Sequence, residues 1–458
     1  MRAVRRWAAR HGAFLVVLAL AVALRITVMI GYRPIMWFND SYGYVADAFE
    51  LNPSPIRPSG YSFLLKLLDP LGGFTLVAVV QHLMGLTVGV LCYQVVRRLG
   101  APAWAAVLAA VPVLFDAYQV QLEHLVMSDT LFTVLVVGAV VLVVRARPTV
   151  AVGAVAGVLL GLATVTRSIG QPLLILLIGY LLIRQVGWRV VTTTALAGAI
   201  PIFAYMSWFH EVHGRYSLSD SSGIFLYSRT MAFADCGKIK PPPRLAPLCD
   251  DLPAERRPLS QLYIWSASSP LYRLGGEVFT EQTNRLAGEF ARRAVLAQPL
   301  DYLSVVLKDV ARTFAWERTP FPDEPTYAQY RFDKVIESLP NWEPPYLTAY
   351  DPGWRTVISE PQAGLLGGYQ DRVYLRGSMF GVVLLVGLAG LFRRPVRGSP
   401  AWYLRWLRAP GLLPWLVAVV LVVVPAATAE FSYRYVLAAV PLAMIAAALA
   451  FRRSRAPS

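Results

Sequence analysis

GAFLVVLALAVALRITVMIG (12–31) runs directly into YRPIMWFNDSYGYVADAFE (32–50), and the join between these stretches decides how the whole chain reads. The first is about twenty apolar residues, enough for a helix to cross the ~30 Å hydrocarbon core of a bilayer. Its one charge, Arg25, is placed to snorkel to the interface or to pair with an acid of the loop beyond. The second stretch is too polar to span and too apolar to float free. It carries Asp40 among Trp37, Phe38, Tyr42 and Tyr44, a carboxylate where membrane meets water.

Working outward, further apolar runs cover approximately 73–95, 102–117, 125–144, 149–166, 169–187, 189–209, 374–392, 411–430 and 433–451. The run at 102–117 is short, so it is expected to tilt or to join a buried turn. With 458 residues, 56% of them hydrophobic and 16% charged, the chain is expected to be an all-α polytopic membrane protein with about ten transmembrane helices. Arginines close alternate spans: Arg97 and Arg98, Arg145 and Arg147, Arg184 and Arg189, Arg393 to Arg408, and Arg452 to Arg455. No Asp or Glu lies among them, so these links read as cytoplasmic. All 28 acids then gather on or near the outer side. Both termini are expected inside, the first span acts as an uncleaved signal anchor, and the active face is the outer side of the plasma (inner) membrane. The net charge of +15 is spread over short loops, which suits orientation and contact with membrane lipids rather than nucleic acid.

Three regions follow: 1–210, a transmembrane module with its first outer loop at 32–72; 211–373, a mainly helical exoplasmic domain between spans seven and eight; and 374–458, the last transmembrane helices. In the first loop, Asn39 or Asp40 can cap a short helix whose apolar stripe is Tyr44, Ala48 and Leu51. IRPSGYSFLLKLLD (56–69) reads as a second short amphipathic segment, started by Pro58 and stopped by Pro70. Two helices lying in the outer interface are the economical arrangement. In the large domain, 281–298 and 300–317 have helical spacing. Cys236 and Cys249 lie there in a Pro-rich loop, where an oxidising compartment favours a disulfide.

Asp40 is the leading candidate for a base that accepts a proton from an incoming hydroxyl; a plain capping role is the alternative. Asp47 reads as a solvated acid. Arg57 and Lys66 flank the second short segment, where a cation can hold a phosphate or snorkel. Glu123, His124 and Asp129 sit at the outer start of span four, and an acid at that depth is costly unless it has a task. Arg167 and Arg434 stand at the outer ends of spans five and ten, against the positive-inside trend. Each therefore wants an anionic partner, a carboxylate or a lipid-linked phosphate. His210, Glu211 and His213 do not form a His-Glu-x-x-His zinc motif, and no phosphate-cradling glycine loop or serine-nucleophile elbow is present.

NDSYGYVADAF (39–49), RPSGYSFLLKLL (57–68), LVMSDTLFTVLV (125–136), GLATVTRSIG (161–170) and YRYVLAAVPL (433–442) together resemble the GT-C superfamily of polytopic glycosyltransferases. The likeness is to the group around protein O-mannosyltransferases and bacterial aminoarabinose transferases. It implies a polyprenyl-phosphate sugar donor, a glycan, lipid or protein acceptor, and transfer with inversion. It places the family's essential acid at Asp40, with Asp129 at the start of span four, and gives Arg57, Arg167 or Arg434 the departing lipid phosphate. No nucleotide is required, and because metal dependence varies in the superfamily a divalent metal stays open. The first loop has one prominent acid where protein O-mannosyltransferases carry an adjacent Asp-Glu pair, which counts against a protein acceptor. The alternatives are a lipid or glycan transporter or flippase, a lipid-linked glycan ligase or polymerase, and a scaffold.

Overall fold

A backbone inside a bilayer must satisfy its own hydrogen bonds, so apolar runs of this length fold as helices. The computed structural model describes residues 2–144, 148–335, 344–392 and 406–452, with side chains from residue 11 onward. Arg145, Arg147, Arg393, Arg394, Arg397, Arg405, Arg453 and Arg455 lie outside the described residues. Twenty α-helices are named here in chain order. The first nine are α1 (Arg2–Gly31), α2 (Asn39–Glu50), α3 (Gly60–Arg98), α4 (Ala103–Phe115), α5 (Ala117–Leu122), α6 (Asp129–Val143), α7 (Val150–Thr166), α8 (Gly170–Ile183) and α9 (Trp188–His213). The middle of the chain forms α10 (Ser222–Thr230), α11 (Cys236–Ile239), α12 (Leu262–Trp265), α13 (Glu281–Ala297), α14 (Pro299–Arg312), α15 (Glu324–Ala328), α16 (Pro345–Tyr350) and α17 (Gln362–Gln370). The last three are α18 (Gly377–Phe392), α19 (Leu412–Thr428) and α20 (Tyr433–Leu449).

The chain is an all-α polytopic membrane protein. Three helices, His11–Gly31 of α1 together with α3 and α9, are long and apolar enough to cross a membrane, and seven shorter apolar helices (α4, α6, α7, α8, α18, α19, α20) complete the set. Each of these ten helices overlaps one of the expected apolar runs, and three of them, among the described residues, reach crossing length. The short third run resolves as α4 followed by a turn at Asp116, whose carboxylate accepts from the Tyr118 and Gln119 amides and so caps α5. Alternation brings the C-terminal ends of α1, α4, α7, α9 and α19 and the N-terminal ends of α6, α8, α18 and α20 to one end of the bundle.

Two details of the first loop differ from expectation. Asn39 begins α2 with Phe38 at the cap position, and the Ser41 hydroxyl accepts from the Phe38 amide (2.9 Å). The carboxylate of Asp40 is therefore free for other partners. Helix α3 also continues through Pro70 and breaks at Gly72–Gly73, not at the proline. Gly73 has φ +58°, a left-handed conformation that glycine adopts without penalty, and a Cβ there would lie 2.5 Å from Asp351 Oδ2. That oxygen accepts from the Phe74 amide (3.0 Å), so a residue far along the chain caps the membrane half of α3.

The stretch 211–373 has two parts. Residues from Ile224 to Ala294 build a separate hydrophobic core around Tyr227, Tyr263 and Phe290, and the Cys236–Cys249 disulfide closes a loop on it. Residues from Tyr327 to Leu366 instead join the main core of the bundle. There Trp37 Nε1 donates to the Trp354 carbonyl (3.1 Å), and Tyr32–Arg33 (β1) pairs antiparallel with Val357–Ile358 (β2). The later part therefore clamps the first loop in place. Sequence reading gave no sign of this small sheet, because two-residue strands have no periodicity to detect.

Candidate active site

Asp40 sits in the first turn of α2, and two guanidiniums from distant segments close on it. Arg57, in the loop before α3, lies 3.1 Å from Oδ1, and Arg434, in the first turn of α20, lies 2.8 Å from Oδ2. Asp129 opens α6 and pairs with Arg167, the residue that ends α7. The Tyr435 ring lies beside both Arg167 (5.0 Å) and Arg434 (5.3 Å), and the Tyr44 ring lies under Arg57 (4.9 Å), so each guanidinium rests on a π face. Asp40, Arg57, Asp129, Arg167 and Arg434 all line one cavity of about 1350 Å³. Within this cluster of five, three cations face two carboxylates and leave one unit of positive charge, and the cavity's other charged residues, Arg285 and Arg292 against Asp323 and Glu430, balance one another.

Local backbone constraints produce this convergence. Pro58 and Ser59 turn the chain into α3, and Gly60 abuts the end of α7, where an added Cβ would lie 2.7 Å from the Val165 carbonyl oxygen. Only a residue without a side chain lets the Arg57 turn approach the Arg167 turn so closely. Gly60→Ala is expected to push the two segments apart and lower activity more than about tenfold, with a smaller effect on melting temperature. Activity assays beside thermal melts check it.

Burial alone would raise the Asp40 carboxyl, but Arg57 and Arg434 outweigh it and hold Asp40 well below the usual carboxylate range. Asp47, on the same helix, behaves oppositely: it is half-buried rather than solvated, and burial pushes it up to about 6 against the pull of Arg57. A carboxyl raised in the folded state lends stability below its ordinary value, and that stability is lost as pH rises through about 6. Asp47→Asn should therefore flatten the fall in melting temperature between pH 5 and pH 7, by about 2 °C. A pH series of thermal melts on both proteins tests this.

The remaining candidates lie elsewhere. Lys66 is 40% exposed on α3 and pairs with Asp69 at 3.6 Å; it does not line the cavity. Glu123 and His124 are fully buried below the site, in a polar knot with Arg25, Gln81 and His82. Arg25 grips Glu123 through Nε (2.8 Å) and Nη2 (2.9 Å), so its partner is not an acid of the first loop. His82 Nδ1 lies 3.1 Å from the same carboxylate, and its Nε2 lies 3.1 Å from His124. His124 Nε2 then donates to the Tyr32 carbonyl (2.6 Å). The Met36 amide donates to the His124 carbonyl (2.9 Å), and the Val126 amide to the Met36 carbonyl (3.2 Å). The knot thus ties the strand leading to Asp40 to the strand leading to Asp129. Glu123 and His124 hold up the site without reaching the cavity.

Sequence reading missed Gln329 and Tyr330, which line the cavity from the turn after α15. Gln329 Oε1 accepts from the Asn39 amide (2.9 Å) and so takes up a donor at the start of α2. A glutamine 290 residues away carries no sequence signal for this. Among the described residues no group of three or more His, Cys, Asp or Glu converges as a metal site. A divalent cation at Asp40 or Asp129 would have to displace an arginine already paired there.

Residues 57–209 match the family model described as dolichyl-phosphate-mannose-protein mannosyltransferase, and this segment contains Arg57, Asp129 and Arg167. No curated protein matches the chain. Among solved structures it is similar to the S. cerevisiae protein O-mannosyltransferase complex bound to the sugar donor, at 15% identity over 48% of this chain and 36% of that one, TM-score 0.35. It is also similar to ArnT from Cupriavidus metallidurans bound to undecaprenyl phosphate, at 14% identity over 96% and 77%, TM-score 0.38. A third is the Archaeoglobus fulgidus oligosaccharyltransferase, at 13% identity over 95% and 50%, TM-score 0.42. The chain spans about a third of the length of the yeast protein and half that of the archaeal one.

Proposed function

We propose that the chain is an inverting glycosyltransferase of the GT-C kind, which moves a sugar from a polyprenyl-phosphate donor to an acceptor hydroxyl on the outer face of the plasma membrane. The observation that carries this reading is the meeting of three arginines and Asp40 in one cavity at the end of the apolar bundle. A lipid-phosphate sugar is a phosphodiester with one negative charge. Its departing lipid phosphate, a monoester, gains a second, so a site with surplus positive charge favours the transition state over the ground state. The match over 57–209 supports the same donor class.

In the proposed step the acceptor oxygen attacks the anomeric carbon from the face opposite the phosphate. The carbon–phosphate oxygen bond breaks, and the electron pair leaves with the lipid phosphate toward Arg57, Arg167 and Arg434. The acceptor proton passes to Asp40. In the resting site Asp40 is clamped by two guanidiniums and is a weak base. A donor phosphate that draws Arg57 and Arg434 to itself would release the carboxylate, so the base becomes competent when the leaving group is in place.

Purified protein mixed with a polyprenyl-phosphate sugar and an acceptor glycan or lipid is expected to release free polyprenyl phosphate, and Arg434→Gln to reduce that release by about 100-fold. Movement of intact donor across vesicles without release of lipid phosphate would replace this reading with that of a transporter.

A further inference from the structure

Leu300, Leu303 and Leu307 form a ridge at helical spacing along α14, with Leu296 of α13 just before the break at Gln298, and the four are 78%, 49%, 57% and 80% exposed. Residues of the membrane helices that face outward have similar values, such as Ile175 at 71% and Leu385 at 65%. Yet α14 is none of the ten apolar helices. Large aliphatic side chains exposed in a row outside the apolar helices mark a contact site.

The position of α14 identifies what covers the ridge. At its start, the Tyr302 hydroxyl donates to the Ala427 carbonyl (3.0 Å), in the last turn of α19. Just past its end, Phe314 stacks near Phe380 (6.3 Å), and Gly377 at the start of α18 packs on the Thr313 and Ala315 carbonyls. Both fixed points lie at the tips of membrane helices on the same end of the bundle. They are separated by about 18 Å of helix. A helix pinned at both ends to that level must lie flat along it, in the plane where hydrocarbon gives way to headgroups. Its inner side is taken by Val306 and by Asp309, which is paired with Arg229 at 2.7 Å. Lys308 and Asp301 occupy a separate, exposed flank.

We infer that α14 is an in-plane anchor whose leucine ridge enters the acyl-chain region of the bilayer beside the cavity. The partner is lipid. The ridge belongs to a helix whose ends rest on α19 and α18, the outward residues of which, such as Val423 (37%) and Val382 (59%), are exposed like it, and no other part of the described chain covers it. The anchor fixes the height of the disulfide-closed unit over the membrane, and that unit supplies part of the cavity wall, including Ser222, Asn284 and Trp265. The inference does not depend on the glycosyl-transfer reading.

The experiment uses the full chain in phosphatidylcholine–phosphatidylglycerol nanodiscs, with an environment-sensitive fluorophore attached at Leu303→Cys or, separately, at Lys308→Cys. The native cysteines do not compete, since Cys92 is buried and Cys236 is bonded to Cys249. Lipids carrying a nitroxide on the acyl chain are expected to quench the label at 303 at least about threefold and the label at 308 hardly at all. Two results would overturn the inference. One is equal quenching by a water-soluble agent at both positions. The other is a label at 303 shielded from water yet untouched by the lipid nitroxide, which would put a second protein surface on the ridge. Melting curves of each labelled variant confirm that the fold is retained.

Discussion

Asp40→Asn is expected to lower the turnover number of sugar transfer about 1,000-fold while donor KM stays level or falls. Loss of a positioned general base removes about 10²–10⁴ of rate. Asparagine keeps the size of the side chain, so the α2 turn and its contact with Gln329 should persist. It also leaves Arg57 and Arg434 without their carboxylate, and two unmatched guanidiniums attract the donor phosphate at least as well as before. A merely structural Asp40 would instead raise KM and lower thermal stability together. Steady-state kinetics on both proteins separate the cases, and near-normal turnover in the variant would move the base to Asp129. The pH profile adds a second signature. Arg57 and Arg434 depress the Asp40 pKa in the free enzyme, so the carboxylate remains ionised down past its ordinary value of 3.8, and kcat/KM should show no acid limb from it between pH 5 and pH 8. With donor bound and the arginines drawn away, the acid limb of kcat should move upward relative to that of kcat/KM.

The apolar helices were legible in the sequence because a bilayer imposes a length and an apolarity on every crossing. The same rule placed Asp40, Arg57, Asp129, Arg167 and Arg434 at one level, since each lies at the tip of an apolar run or just beyond it. Their meeting within that level is a matter of helix order around the bundle, which hydropathy does not encode. Lys66 shows the limit. Nine residues from Arg57 and similar in charge, it looked equivalent, but the helix that starts at Gly60 carries it away to pair with Asp69. Gln329 and Tyr330 had no signature because their work is done on partners brought near only by the fold. The division of 211–373 was hidden for the same reason, as both parts are amphipathic and only contacts tell which core each one joins.

The largest loss of stability is expected from Arg25→Leu. Arg25 is 2% exposed and Glu123 is fully buried, and the two are held by a two-pronged contact inside the bundle. Replacing both partners with apolar groups costs little in many proteins, whereas removing one strands the other charge where it cannot be solvated, at about 3–5 kcal/mol. Glu123 would keep only its contacts with His82 (3.1 Å) and Gln119 (3.2 Å). The damage should spread to the site, because the strands that lead to Asp40 and Asp129 are joined through His124, the neighbour of Glu123 in sequence. Arg25→Leu is therefore expected to lower melting temperature sharply and to reduce turnover in the protein that remains folded. The double variant Arg25→Leu, Glu123→Leu should recover most of the stability. If the carboxylate were also needed to orient His82 and His124, it would recover stability without recovering turnover. Melting temperature and turnover across the single and double variants distinguish a knot that only holds the bundle together from one that also sets the geometry of the cavity. A double variant as unstable as the single would contradict the stranded-charge argument.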